Sequence, residues 1–108
     1  MPAIFLTQNY RAMEMNDKEL NEEKTLLKDL EKRNIRAFMR LYRNYNEDLL
    51  IFAYTHLQDR KAAIKTVEEF FEDLWSMATF TEIDPPIYRF LLAQIRTICD
   101  QKSIFGQK

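Results

Sequence analysis

Glycine is nearly missing from this chain: Gly106 is the only one in 108 residues. A phosphate-cradling loop needs several glycines, so no such loop is present. Proline is scarce too, at three residues. So few turn formers argue against a sheet-rich fold with many tight reversals. Cys99 and His56 are the only cysteine and histidine. A lone cysteine allows no internal disulfide, which fits a reducing, cytoplasmic setting. One histidine and one cysteine cannot assemble the usual tetrahedral metal site, and no Glu-x-x-His pair of the di-metal bundles occurs. HExxH and GxSxG are absent as well. No apolar run approaches the roughly 18 residues that span a bilayer. MPAIFL lacks a basic start and is not expected to be a signal peptide. No membrane partner, metal or cofactor is expected.

What is present is apolar and charged side chains in alternation. Hydrophobic residues make up 46% and charged ones 31%, enough for a real core under a soluble helical surface. At this length the chain is expected to form one domain. Acidic and basic side chains nearly cancel, at 17 and 16. That balance does not favour a generic nucleic-acid binder. The last quarter differs: residues 85–108 carry four basic groups and one acidic group. Any polyanion contact is expected there.

Periodicity predicts four helices. Residues 1–15 show no clean period and are expected to be a tail. Asn16 followed by Glu19 reads as a capping box, opening a helix to about Arg33 with Leu20, Leu27 and Leu30 on one stripe and Leu26 beside it. Asn34 is the second cap. Phe38, Leu41, Tyr42, Tyr45, Leu49 and Phe52 then recur at helical spacing, and this helix is expected to end near His56. Asp59 is the third cap. Ile64, Val67, Phe71, Leu74, Trp75 and Ala78 form the next apolar stripe, with Lys61, Lys65, Glu68, Glu69, Glu72 and Asp73 opposite. The segment TFTEIDPP ends that helix, because Pro85 and Pro86 cannot continue it. Pro86 suits the first turn of a fourth helix with Ile87, Leu91, Ile95 and Ile98 buried, running to about Lys102. Residues 16–103 are the expected domain and 104–108 a frayed end. The fold class is all-α, a compact four-helix domain. The acidic pairs Glu68/Glu72 and Glu69/Asp73 read as a solvated face and not as a catalytic dyad. No catalytic residue is expected, and the chain is not expected to be an enzyme.

Three ordered patterns carry more than periodicity. The first, L…AF..LY..Y…L..FA, is met by Leu30, Ala37, Phe38, Leu41, Tyr42, Tyr45, Leu49, Phe52 and Ala53. The second, AED.VQE.F..LW, is met in position by Ala63, Ile64, Lys65, Val67, Glu68, Glu69, Phe71, Leu74 and Trp75. The third comprises Phe90, Leu91, Ile95, Arg96, Thr97 and Gln101. Over residues 25–102 this order resembles region 2 of bacterial RNA polymerase sigma factors, most closely the small extracytoplasmic-function (ECF) type.

The resemblance implies a binding domain without catalysis. Its third helix would meet the β′ subunit of core RNA polymerase through Lys65, Glu68, Glu69 and Glu72. Its fourth helix and the loop before it would hold the separated −10 promoter strand through Tyr88, Arg89, Phe90, Arg96 and Thr97, with aromatic faces stacking bases and arginines neutralising phosphate. A regulator such as an anti-sigma factor is a further implied partner. Several positions depart from the family. Lys65 stands where it has Asp, Glu68 where it has Gln, Thr97 where it has Asn, and Gln101 where it has Asp. Glu82 and Asp84 make the leading loop acidic. No helix-turn-helix for the −35 element is expected of this chain, which is then a piece of a longer protein or a stand-alone domain.

Two other readings stay open. One is a degenerate sigma-like module that binds proteins but reads no promoter, which Lys65, Gln101 and the acidic loop favour. The other is an unrelated helical bundle that self-associates, for which the apolar Ile4–Leu6 is the best argument. Cys99 is expected to fill the core. His56 is expected at a helix end, facing solvent or a carbonyl.

Overall fold

A computed structural model describes residues 15–77 and 79–106 of the chain. Four helices are present among them: α1 Asp17–Glu31, α2 Ile35–Leu57, α3 Arg60–Trp75 and α4 Ile87–Gly106. The fold is all-α, as expected. The N-terminal tail lies outside the described residues except for Met15, and so does Ala78. The fourth helix continues to Gly106, past the expected end at Lys102; residues 107–108 lie outside the description.

Local chemistry sets the helix starts. Asn16 Oδ1 accepts from Glu19 N at 2.8 Å, and Glu19 Oε1 accepts from Asn16 N at 3.1 Å, closing the capping box. Asn34 Oδ1 accepts from Arg36 N and Ala37 N. Asp59 Oδ1 accepts from Ala62 N at 3.1 Å. Each such cap stabilises its helix by about 1 kcal/mol. The connections α1–α2 and α2–α3 are tight reversals, each with one residue in the left-handed region: Arg33 at φ 61° and Gln58 at φ 55°. Connections this short make neighbouring helices antiparallel.

Helix α2 is central and packs against the other three. Leu30, Leu41, Leu49, Ile87, Leu91 and Ile95 form the buried centre. Cys99 fills the same core with no exposed surface, as expected.

Expectations for the faces of four side chains are corrected. Ile64, placed on the buried stripe of α3, is 37% exposed; Ala63, Thr66 and Phe70 are buried instead. Tyr42 is 36% exposed, because it lies at the edge of the α2–α3 seam with its ring on Phe71 at 4.8 Å. Trp75 and Ile98 are only half-buried. Trp75 sits on the last turn of α3, where packing comes from Phe38 at 4.7 Å and from Arg33.

The segment between α3 and α4 is part of the core. Phe80 has no exposed surface and Ile83 is buried. Helix α3 ends at Trp75, well before the prolines, with Ser76 Oγ donating to Glu72 O at 3.2 Å. The Pro85–Pro86 bond is cis. Pro86 immediately precedes α4, and its carbonyl accepts from Arg89 N at 3.1 Å. Among the described residues no helix is long and apolar enough to cross a membrane.

Candidate functional site

The outer face of α3 is the first candidate surface. Lys65, Glu68, Glu69 and Glu72 fall within two turns and are all exposed. The opposite side of α3 is fixed by Ala63, Val67, Phe70 and Leu74, all buried, so the charged face cannot rotate inward. Glu69 reaches Lys102 of α4 at 3.5 Å. This is an exposed pair and contributes little to stability, but it ties one carboxylate of the face to α4. Lys65, Glu68 and Glu72 form no ion pair among the described residues.

The second candidate surface is the start of α4 with the segment before it. The structure divides its five residues. Arg89 and Arg96 are exposed and seven residues apart, so they share one face of α4. Thr97 is also exposed, but its hydroxyl donates to Ala93 O at 3.1 Å, within its own helix. Phe90 is half-buried and lines a cavity of about 200 Å³ with Phe70, Leu74 and Ile98, with Asp73 and Gln94 as its polar members. Tyr88 is half-buried and stacks on Tyr45, ring centroids 5.8 Å apart and planes 23° apart. One face of Tyr88 is therefore committed inside the fold.

Three residues of α1 and the turn after it control this region, and sequence reasoning had assigned them no such role. Glu31 Oε1 accepts from Phe80 N and, at 3.1 Å, from Thr81 N. Glu23 Oε1 accepts from Ile87 N at 2.8 Å, capping the first turn of α4. The Arg33 guanidinium donates to the carbonyls of Trp75 and Met77. These side chains satisfy backbone groups that no helix pairs. Their partners lie 42 to 64 residues away in sequence, so no local pattern announces them.

Burial gives Glu23 an unusual proton affinity. Desolvation raises its carboxyl above the ordinary 4.5, and the charge of Glu19 adds to the rise; hydrogen bonds from Ile87 N–H and Tyr45 pull it back. The Tyr45 phenol is pushed up to about 12, chiefly by burial and then by the neighbouring Glu23 carboxylate. Burial, aided by Asp48, raises Tyr88 as well. Negative charge thus gathers where α1, α2 and the start of α4 meet. Glu82 and Asp84 are exposed in the adjoining segment, and Thr79 Oγ1 donates to Glu82 at 3.2 Å.

His56 stands in the last turn of α2 and is partly exposed, as expected, but it also has a partner. Its Nε2 lies 2.9 Å from Asp100 Oδ1, and its ring stacks on Phe52. It links the end of α2 to α4 and does not face a helix carbonyl. Burial and Asp100 raise the Cys99 thiol, so it is a poor nucleophile where it sits. Among the described residues no group of three His, Cys, Asp or Glu side chains is placed to hold a metal ion.

No known protein-family model, curated protein or solved structure matches the chain.

Proposed function

We propose that the chain is a region-2-type domain of an ECF-like sigma factor, which joins core RNA polymerase and holds the separated −10 strand at transcription initiation. The observation that carries this reading is the ridge of α3. Every residue that the resemblance assigns to the β′ contact is exposed, on a helix whose other side is locked into the core. A rigid helix face presents its side chains without a backbone ordering cost at the moment of docking. The order and spacing of the three patterns along α2, α3 and α4 support the same reading.

The mechanism is binding without covalent chemistry. The α3 ridge engages β′, with Lys65 as a basic group in an otherwise acidic row. Arg89 and Arg96 neutralise phosphates of the displaced strand, while Phe90 sits at the rim for a base. Glu23, Glu31 and Arg33 act as positioning residues, since they hold the backbone at Trp75, Met77, Phe80, Thr81 and Ile87, against which that strand would lie.

A second reading is favoured by the Tyr45–Tyr88 stack. With one face of Tyr88 occupied and carboxylates gathered around the segment before α4, the domain docks on a protein partner and reads no promoter. Glu82 and Asp84 repel phosphate and support this version.

Co-purification with core polymerase from a bacterial host tests the first step, using the native chain and Lys65→Asp. Binding by the native chain supports a sigma-like partner. Binding by Lys65→Asp alone means that the charge reversal has removed the partner, and binding by neither sinks the reading. Single-stranded DNA carrying a −10-like sequence tests the second step. Affinity that falls steeply with salt, and drops further in Arg89→Ala/Arg96→Ala, supports strand capture. Polymerase binding without any DNA affinity supports the protein-docking version.

A further inference from the structure

We propose that this chain forms a two-fold symmetric dimer through the outer faces of α2 and α3, each copy laying its α2 over the α3 of the other. The argument starts from charge order. Arg36, Arg40, Arg43 and Glu47 follow at spacings of four, three and four, so they fall on one face of α2, and all are exposed. None of them forms an ion pair among the described residues. On α3 the outer face carries Glu72, Glu68 and Lys65, equally exposed and unpaired.

The register between the helices makes these rows complementary. Tyr42 packs on Phe71, and Phe38 on Trp75. At the other end of the seam, Leu50 and Tyr54 line one cleft with Ala63 and Arg60. Rising numbers on α2 thus meet falling numbers on α3. Interpolating between these contacts brings Arg40 level with Glu72, Arg43 with Glu68, and Glu47 with Lys65. Read in one direction, α2 presents plus, plus, minus, and α3 presents minus, minus, plus.

Symmetry turns this order into an interface. A two-fold axis running along the α2–α3 seam, parallel to the helices, keeps every residue at its own level and exchanges the two sides. It places Arg40 of one copy over Glu72 of the other, Arg43 over Glu68, and Glu47 over Lys65, and each match occurs twice. The contact is isologous, so it closes at two copies and does not propagate.

The apolar surface continues along the same seam. Met39 is 50% exposed, Ile51 59% and Tyr54 52%. Ile51, Tyr54 and Ile64 line an open cleft of about 370 Å³. From Arg36 to Tyr54 the helix rises about 27 Å at 1.5 Å per residue. Two helices over that length offer a patch in the range of a modest stable interface, about 800 Å² per partner. Helix α4 packs on α2 and α3 through Tyr45–Tyr88 and Glu69–Lys102, and leaves these rows exposed. The inference stands without the polymerase reading, although the dimer would cover the ridge of α3 and compete with any partner there.

The test uses the purified full chain alone, in sedimentation equilibrium up to about 100 µM at low and high salt. The expected result is a reversible dimer, weakened at least tenfold by Arg40→Glu and by Glu72→Arg. Mixing these two variants should restore a one-to-one heterodimer, because one of its two sites then holds the charge-swapped pair and the other the native pair, both complementary. Both residues are exposed, and a retained helical circular-dichroism signal checks that each variant folds. A native chain that stays monomeric at the top concentration overturns the proposal. So does a dimer indifferent to both reversals, or a mixture of the variants that fails to associate.

Discussion

Arg33 lies over the ring of Phe80, its guanidinium carbon 5.3 Å from the ring centroid. The same group sits 5.6 Å from the Trp75 ring and donates to the carbonyls of Trp75 and Met77. One side chain in the α1–α2 turn thus closes the end of α3 and covers the aromatic residue that anchors the next segment. Arg33 itself has a positive φ, set in the tight α1–α2 reversal. The planar fork of arginine can donate to two carbonyls and stack on a ring at once, which an ammonium cannot do.

Arg33→Ala should therefore destabilise the domain by about 2 kcal/mol, through lost charged hydrogen bonds and cation–π contact. Arg33→Lys should recover less than half of that loss. Urea unfolding followed by helical circular dichroism measures both. A cost for Arg33→Ala below about 0.5 kcal/mol, the scale of an ordinary surface substitution, would show that the contact does not hold the segment.

The other left-handed residue makes the opposite prediction. Gln58 ends α2 at φ 55°, and its backbone N–H donates to Tyr54 O at 2.7 Å. No side-chain hydrogen bond of Gln58 is present among the described residues, and the residue is exposed. Glycine adopts this conformation without the clash that a Cβ suffers. Gln58→Gly should raise stability by about 0.5–1 kcal/mol, net of the extra entropy of its unfolded chain. Arg33→Gly should lower it, since relief at the backbone does not replace the lost guanidinium. Opposite signs in the same unfolding assay are the expected outcome.

Two partly buried acids contribute to the pH dependence. Glu23 has its carboxyl raised in the fold by desolvation. The folded state then holds a proton that the unfolded state has released, so this contribution to stability is full below the ordinary 4.5 and is lost as pH climbs through the folded value. The Tyr45 phenol behaves alike at the alkaline end, where its contribution is lost between its usual 10.0 and about 12. Thermal melts across pH should show both declines. Glu23→Gln, which keeps an oxygen for Ile87 N–H, should flatten the acid-side decline, and Tyr45→Phe the alkaline one. An unchanged alkaline slope in Tyr45→Phe would place that titration elsewhere.

The helix starts were legible because their causes are local. Asn16, Asn34 and Asp59 each act within three residues, and all three cap as the sequence predicts. The faces were legible only in part. On α3 the larger Ile64 was assigned to the core over Ala63, yet Ala63 and Ala53 have no exposed surface and small residues suit the close α2–α3 seam. Thr66 is buried with its hydroxyl unpartnered among the described residues, a cost that no periodicity argument anticipates. The α1 contacts to the α3–α4 segment were illegible, since they join residues 42 to 64 apart whose identities are ordinary for exposed helix positions. The charged face of α3 was read correctly, because it is the residue of a pattern whose apolar half is strong.

Phe80 carries the last prediction. Periodicity places Trp75 on the apolar stripe of α3 and gives Phe80 no place in the core. The structure exchanges their weights: Phe80 has no exposed surface, while Trp75 is half-buried at a helix end. A phenyl ring removed from a closed core leaves a cavity that neighbouring helices relax into only partly, so Phe80→Ala should cost about 3–5 kcal/mol. Trp75→Ala opens onto solvent, loses the Phe38 contact and part of the Arg33 contact, and should cost about 2 kcal/mol. Phe80→Ala should also blunt any activity that depends on the fixed backbone before α4, whereas Trp75→Ala leaves Phe80 and the Glu31 hydrogen bonds in place. Paired urea unfolding of the two variants decides the order. If Trp75→Ala proves the costlier, the segment between α3 and α4 is not anchored through Phe80, and the positioning role given to Glu31 and Arg33 falls with it.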